Sequence, residues 1–164
     1  MVQTGTIGGD GRIVEADETY YGGVQKGFRG PRNKTPILGV VERGGEVRSV
    51  VSKVASTHTA KSFLGSTLKE NTTLHTDESR IYLWTDGIYQ HESINHSLGE
   101  YARDNVTTNT IEGFWSLLKR SIDGTHHRVS SEQLQLYVDE AVFRYNHRNQ
   151  TVYPLLLELA SQQR

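Results

Sequence analysis

TPILGVVERGGEVRSVVSKV, residues 35–54, holds two strand-like runs on either side of a Gly-Gly connection. Both runs, TPILGVVE and EVRSVVSKV, are rich in β-branched residues that suit a pleated sheet. The Arg43-Gly44-Gly45 connection is of the short, glycine-rich kind that closes a β-hairpin. The first run is nearly all apolar, which puts it in the centre of a sheet covered on both faces. Upstream, RIVEADETYY (12–21) has the same composition and is stopped by Gly22-Gly23, so it reads as another strand. Between them, KGFRGPRNK (26–34) carries Lys26, Arg29, Arg32 and Lys34 with no acid and reads as an exposed basic loop.

Downstream, the period changes. STHTAKSFLGSTLKE (56–70) repeats apolar residues at Ala60, Phe63, Leu64 and Leu68, a helical spacing, with Ser56 or Thr57 as cap. A short strand, TTLHT (72–76), then delivers Asp77; ESRIYLWTDG (78–87) reads as a short helix and HESIN (91–95) as a further strand. In TNTIEGFWSLLKRSI (108–122) the residues Ile111, Trp115, Leu118 and Ile122 share one helix face, and Asp123-Gly124 ends the element. The last long element, SEQLQLYVDEAVFRYNHR (131–148), follows Ser130 and Gln133 at capping-box spacing and carries the stripe Leu134, Val138, Ala141, Val142 and Tyr145. The whole reads as an α/β protein, a mixed sheet with helices packed on it.

Length and composition agree with one domain. The chain has 164 residues, of which 35% are apolar and 23% charged, and no apolar run approaches membrane-span length. The start, MVQTGTIGGDGR, lacks the apolar region of a signal peptide, so a cytoplasmic protein is expected. Zero cysteines exclude disulfides, thiolate metal sites and thiol nucleophiles, leaving oxygen or imidazole ligands for any metal. Lysine plus arginine number 18 against 19 acids, so the chain as a whole is not a basic DNA binder. Residues 1–11 have no apolar period and read as a loose leader, and 151–164 as a tail.

Three acids fall where the sheet would gather them. Asp17 lies in the first strand, Asp77 closes the fourth, and Glu112 lies in the first turn of the 108–122 helix with Lys119 two turns on along the same face. Such carboxylates on rigid elements hold hard cations like Mg²⁺. A pair of these ions about 3.5–4 Å apart drives phosphodiester displacement, and Lys119 would meet a phosphate. Each residue also has a structural reading: Asp77 as an N-cap, Asn109 with Glu112 as a capping box, Lys119 as a solvated lysine, and Asp17 as the partner of an arginine. The seven histidines show no zinc-ligand spacing, and His75 reads either as a support for the Asp77 site or as a strand histidine satisfied by hydrogen bonds. Trp115 and Phe114 read as core.

VEADETYYGG, KTPILGVVERGG, LHTDESRIY, INHSLGEY, TNTIEGFWSLLKR and YVDEAVFRYNHR closely resemble, in this order, the catalytic domain of bacterial insertion-sequence transposases of the DDE class, a group related to the eukaryotic Merlin transposons. The resemblance runs from about Ile13 to Arg148. It implies a ribonuclease-H-like fold over residues 12–150, a mixed five-stranded sheet flanked by helices. It implies Mg²⁺- or Mn²⁺-dependent cleavage of DNA at transposon ends and strand transfer, in a homo-oligomeric complex with transposon-end and target DNA and without a membrane. Asp17 and Asp77 match the first two acids of the motif, and Glu112, with 34 residues between it and Asp77, matches the third. Part of the group uses Asn in the third position, which leaves Asn109 as the alternative ligand. Lys119 repeats the basic residue seven positions after the Glu, and Lys26, Arg29, Arg32 and Lys34 would contact DNA phosphates. Family members usually begin with a zinc ribbon and a helix-turn-helix, and the chain departs from that pattern before Asp17. It is therefore expected to be the catalytic domain alone, with an inactive remnant that binds DNA or partner transposases as the competing reading.

Overall fold

The fold is described from a computed structural model, which defines residues 3, 5–22, 34–94, 106–125 and 129–151. The basic loop residues Lys26, Arg29 and Arg32, the block from Asn95 to Tyr101, the pair His126-His127 and most of the tail lie outside the described residues.

Strand β1 (Ile13–Tyr21) is followed by β2 (Thr35–Glu42), β3 (Val47–Val51), helix α1 (Thr57–Thr67), β4 (Thr73–Asp77), a 3₁₀ helix (Arg80–Thr85), β5 (Gln90–Ile94), α2 (Asn109–Thr125) and α3 (Leu134–Asn146). The strands form one sheet in the order β3-β2-β1-β4-β5. β1 runs antiparallel to β2 and parallel to β4; β2–β3 is antiparallel and β4–β5 parallel. This is the mixed five-stranded, helix-flanked architecture that the resemblance implied.

Strand alternation sorts the core into two layers. Ile37 and Val41 of β2 and Val47 of β3 turn to one face and pack under Ile111, Phe114, Trp115, Leu118 and Ile122 of α2 and Leu134, Val138 and Val142 of α3. Val14 and Ala16 of β1, Val40 of β2 and Leu74 of β4 turn to the other, under Ala60 and Leu64 of α1 and Tyr82 of the 3₁₀ helix. The α2 residues in the first layer are those of the period 111, 115, 118 and 122, with Phe114 added beside them. α1 begins at Ser56, whose hydroxyl accepts the Thr59 N–H while the Thr59 hydroxyl accepts the Ser56 N–H, a reciprocal capping box. None of the described helices is long and apolar enough to cross a membrane.

The start of the chain departs from the expectation of a loose leader. Ile7 is buried, its backbone bridges to Leu68, and its N–H and C=O bond to Thr67 and Lys69. The Gly8 N–H is held by the Glu42 carboxylate at 2.9 Å. One apolar residue in a glycine-rich stretch has no period, so this docking left no pattern to read.

The edge strand β3 turns the N–H and C=O groups of its odd residues away from β2, and side-chain amides meet them. Gln3 bonds both the N–H and C=O of Ser49, each at 2.7 Å. Asn146 does the same for Val47, and Gln135 accepts the Val51 N–H.

Candidate active site beside the end of β4

Asp17 and Asp77 are brought side by side by the parallel pairing of β1 and β4. The register runs to Ala16 opposite Thr76, and the two aspartates are the next residues on their strands, on the face covered by α2. Glu18 points to the other face, yet because β4 ends beside the middle of β1 it reaches the same point, where the turn after β4 holds it: the Ser79 hydroxyl donates to Glu18 Oε1 at 3.0 Å. Carboxylate oxygens of Asp17, Glu18 and Asp77 all lie within 4.8 Å of one another. Asp77 also accepts the Ser79 N–H at 3.0 Å, a turn bond that coexists with its place in the cluster; the N-cap of the 3₁₀ helix is Ser79, not Asp77 as the sequence suggested.

Crowding three acids has an electrostatic cost. Burial, with the neighbouring Asp77 and Glu18 charges, pushes the Asp17 carboxyl up to about 7. Burial and Asp77 raise Glu18 as well. Tyr82, buried beneath Glu18, has its hydroxyl pushed well above the usual tyrosine value, by burial first and then by these charges. Glu18 Oε2 is buried with no hydrogen-bond partner.

α2 lies over this point because its first turn is anchored to the sheet. The fully buried carboxylate of Glu15 accepts the N–H groups of Thr110 (2.8 Å) and Ile111 (3.1 Å) and the Thr110 hydroxyl (2.9 Å). An anion on these otherwise unmatched donors also suits the positive end of the helix. Arg43, from the hairpin, pairs with Glu15 at 2.7 Å and donates to the Thr107 carbonyl and to His75 Nδ1. Arginine has no acceptor, so His75 accepts here, and burial with the Arg43 charge lowers its pKa. His75 is thus a hydrogen-bonded strand histidine that supports the start of α2.

Trp115, one turn after Ile111, reaches Asp17. Its indole N–H donates to Asp17 Oδ2 at 2.9 Å. The ring lies over β2 at Gly39, the residue paired with Asp17, where a Cβ would sit 2.4 Å from Trp115 Cη2.

The other expected residues sit on the exposed flank of α2. Glu112 is exposed and its Oε1 accepts the Thr108 hydroxyl at 2.7 Å; Asn109 and Lys119 are exposed too. Glu112 is not one of the three clustered acids. The capping box read for Asn109 and Glu112 is not formed: Asn109 is the first helical residue, and its N–H goes to the Thr107 hydroxyl. Nor does Asp17 take an arginine among its described partners, since Arg43 is given to Glu15.

Sequence reading missed Glu18, the polar reach of Trp115, buried Glu15 and the space at Gly39. A glycine inside the apolar run PILGVV was a signal for close approach of another group.

The ISXO2-like transposase domain model matches residues 8–146. The chain belongs to this family. Within the ISXO2-like family's span lie β1 to α3 and every residue of the cluster. A protein of Halobacterium salinarum, described as an uncharacterized protein in transposable element ISH50, is 31% identical over 109 residues, which is 65% of this chain and 37% of that protein. The chain thus spans little more than a third of the length of that relative. Among solved structures, the simian T-cell lymphotropic virus intasome in complex with the PP2A regulatory subunit B56 gamma is similar over 90% of this chain and 53% of its own, at 15% identity and a TM-score of 0.48.

Proposed function

We propose that this transposase domain cleaves DNA at transposon ends and transfers the freed 3′-hydroxyl to target DNA, with Mg²⁺ or Mn²⁺ held by Asp17, Asp77 and Glu112. The observation that carries the reading is the pair of Asp17, in the middle of β1, and Asp77, the last residue of β4, side by side where the pairing of these parallel strands stops, joined by Glu18 with a buried oxygen that lacks a partner. These residues fit a divalent cation: the donors are all hard oxygens, and their mutual repulsion is relieved by a positive charge. When bound, such ions activate the attacking oxygen and stabilise the leaving one.

The chain's own residues supply the rest. Asp17 and Asp77 hold their oxygens on sheet backbone, which cannot drift. Glu112 rides on the first turn of α2, fixed by Glu15, and exchanges the Thr108 hydroxyl for the site; Asn109, one turn earlier, is the alternative third ligand. Lys119 lies two turns along and meets a phosphate as a point charge. Lys26, Arg29, Arg32 and Lys34 track the DNA backbone. The catalytic unit is residues 12–150, it acts as a homo-oligomer on its two DNA partners, and it works in the cytoplasm at the nucleoid.

The test is cleavage of duplexes carrying the ends of the element, with Mg²⁺ or Mn²⁺ and with EDTA. Asp17→Asn and Asp77→Asn should abolish nicking, and full activity in either would overturn the assignment. Comparing Glu112→Gln, Asn109→Ala and Glu18→Gln identifies the third ligand, because only its loss should abolish cleavage. An inactive remnant would instead bind DNA in a salt-sensitive way without metal-dependent cutting.

A further inference from the structure

The period of α2 accounts for the burial of Trp115, which is 4% exposed, but not for the direction of its N–H. A leucine or phenylalanine would fill the same face. A buried indole N–H needs an acceptor, and here the acceptor is Oδ2 of Asp17, 2.9 Å away. The contact depends on Gly39. A Cβ there would lie 2.4 Å from Cη2 and 2.7 Å from Cζ2 of the ring, and 3.3 Å from Ile111 Cδ1. Gly39 is the strand partner of Asp17 itself, so the missing side chain lies beside the carboxylate that the indole reaches. Phe114, 5.2 Å from the Trp115 ring centroid, and Ile111 pack around the indole.

We infer that Trp115 is a positioning residue for Asp17: its indole N–H holds one carboxylate oxygen so that the group is presented to a divalent cation in a single orientation, and Gly39 is the gap that lets it do so. This rests on the reading of Asp17 as a metal ligand. A carboxylate free to rotate loses that freedom when it binds an ion, whereas one already held does not. Groups that hydrogen-bond to metal ligands in this way typically contribute about 10–100-fold to metal affinity.

The experiment is Mn²⁺ binding by the full chain, followed by electron paramagnetic resonance of free Mn²⁺, with no DNA present. Trp115→Phe keeps the ring in the core and removes the donor. It should melt near the wild-type temperature in EDTA yet bind Mn²⁺ about 10-fold or more weakly. Gly39→Ala should weaken binding in the same direction. In an Asp17→Asn background, Trp115→Phe should cause no further loss. Independently of any variant, the indole N–H resonance of Trp115 in the wild-type protein should move on Mg²⁺ addition while that of Trp84 stays. Wild-type Mn²⁺ affinity in a folded Trp115→Phe protein overturns the inference. So does an unmoved Trp115 resonance at saturating Mg²⁺, which decides the matter even if the variant does not fold. Failure of the wild-type chain to bind Mn²⁺ would overturn the metal reading itself, and this inference with it.

Discussion

Asp17 and Asp77 stand next to each other on parallel strands, and the Asp77 charge adds to the cost of ionising the buried Asp17. With the carboxyl of Asp17 moved from its ordinary 3.8 to about 7, the folded chain keeps a proton that the unfolded chain has released between those values. Stability from this group is therefore full below about pH 4 and falls as pH rises towards 7. Asp17→Asn removes the penalty, so at pH 8 in EDTA the variant should be about 4 kcal/mol more stable than wild type by urea unfolding. The gain should shrink steadily towards pH 4, and a gain independent of pH would contradict the electrostatic account.

A divalent ion should relieve the same repulsion. Mg²⁺ or Mn²⁺ at about 100 times its dissociation constant should stabilise the wild-type domain by about 2.7 kcal/mol in thermal unfolding. Asp77→Asn leaves an oxygen for the Ser79 N–H but removes the charge, and it should abolish most of this metal-dependent gain.

Glu15 and Arg43 form a pair whose halves are not equivalent. Arg43→Met would leave a fully buried carboxylate with its backbone donors but without its counter-charge. The cost expected is about 3 kcal/mol. Replacing Glu15 with Met as well should recover only part of it, because the Thr110 and Ile111 N–H groups then lose their acceptor. Urea unfolding of the two singles and the double variant measures this coupling.

Gly39→Val tests the space below the Trp115 ring by stability. Valine suits a strand better than glycine by up to about 1 kcal/mol, but displacing a packed indole costs about 1–3 kcal/mol. The variant should unfold at lower urea with an altered near-ultraviolet signal from tryptophan.

Much of this architecture is legible in the chain because its signals are local. The β-branched runs 13–21, 35–42 and 47–51 are bounded by glycine pairs or turns, and α2 and α3 carry unbroken apolar stripes. The adjacency of Asp17 and Asp77 follows once β1 and β4 are taken as neighbours. What escaped depends on distance in three dimensions. Alternation along β1 puts Glu18 on the far face from Asp17, and only the end of β4 beside the middle of β1 lets both meet Asp77. Glu15 shows nothing of its role in the sequence, because the two N–H groups of α2 and the Arg43 side chain that surround it come from distant parts of the chain. Glu112 lies off the apolar stripe of α2, exposed, and its partner Thr108 is a local hydrogen bond that leaves no mark in a hydrophobic pattern.

The amides along β3 bear on how the domain behaves in a crowded cell. A bare sheet edge is a template onto which another chain can crystallise strand by strand. Here, five hydrogen bonds from Gln3, Gln135 and Asn146 would have to be broken before a sixth strand could form on that side. Those side chains come from opposite ends of the chain, so this resistance to sheet growth exists only after folding is complete, and a half-folded intermediate would be the sticky one.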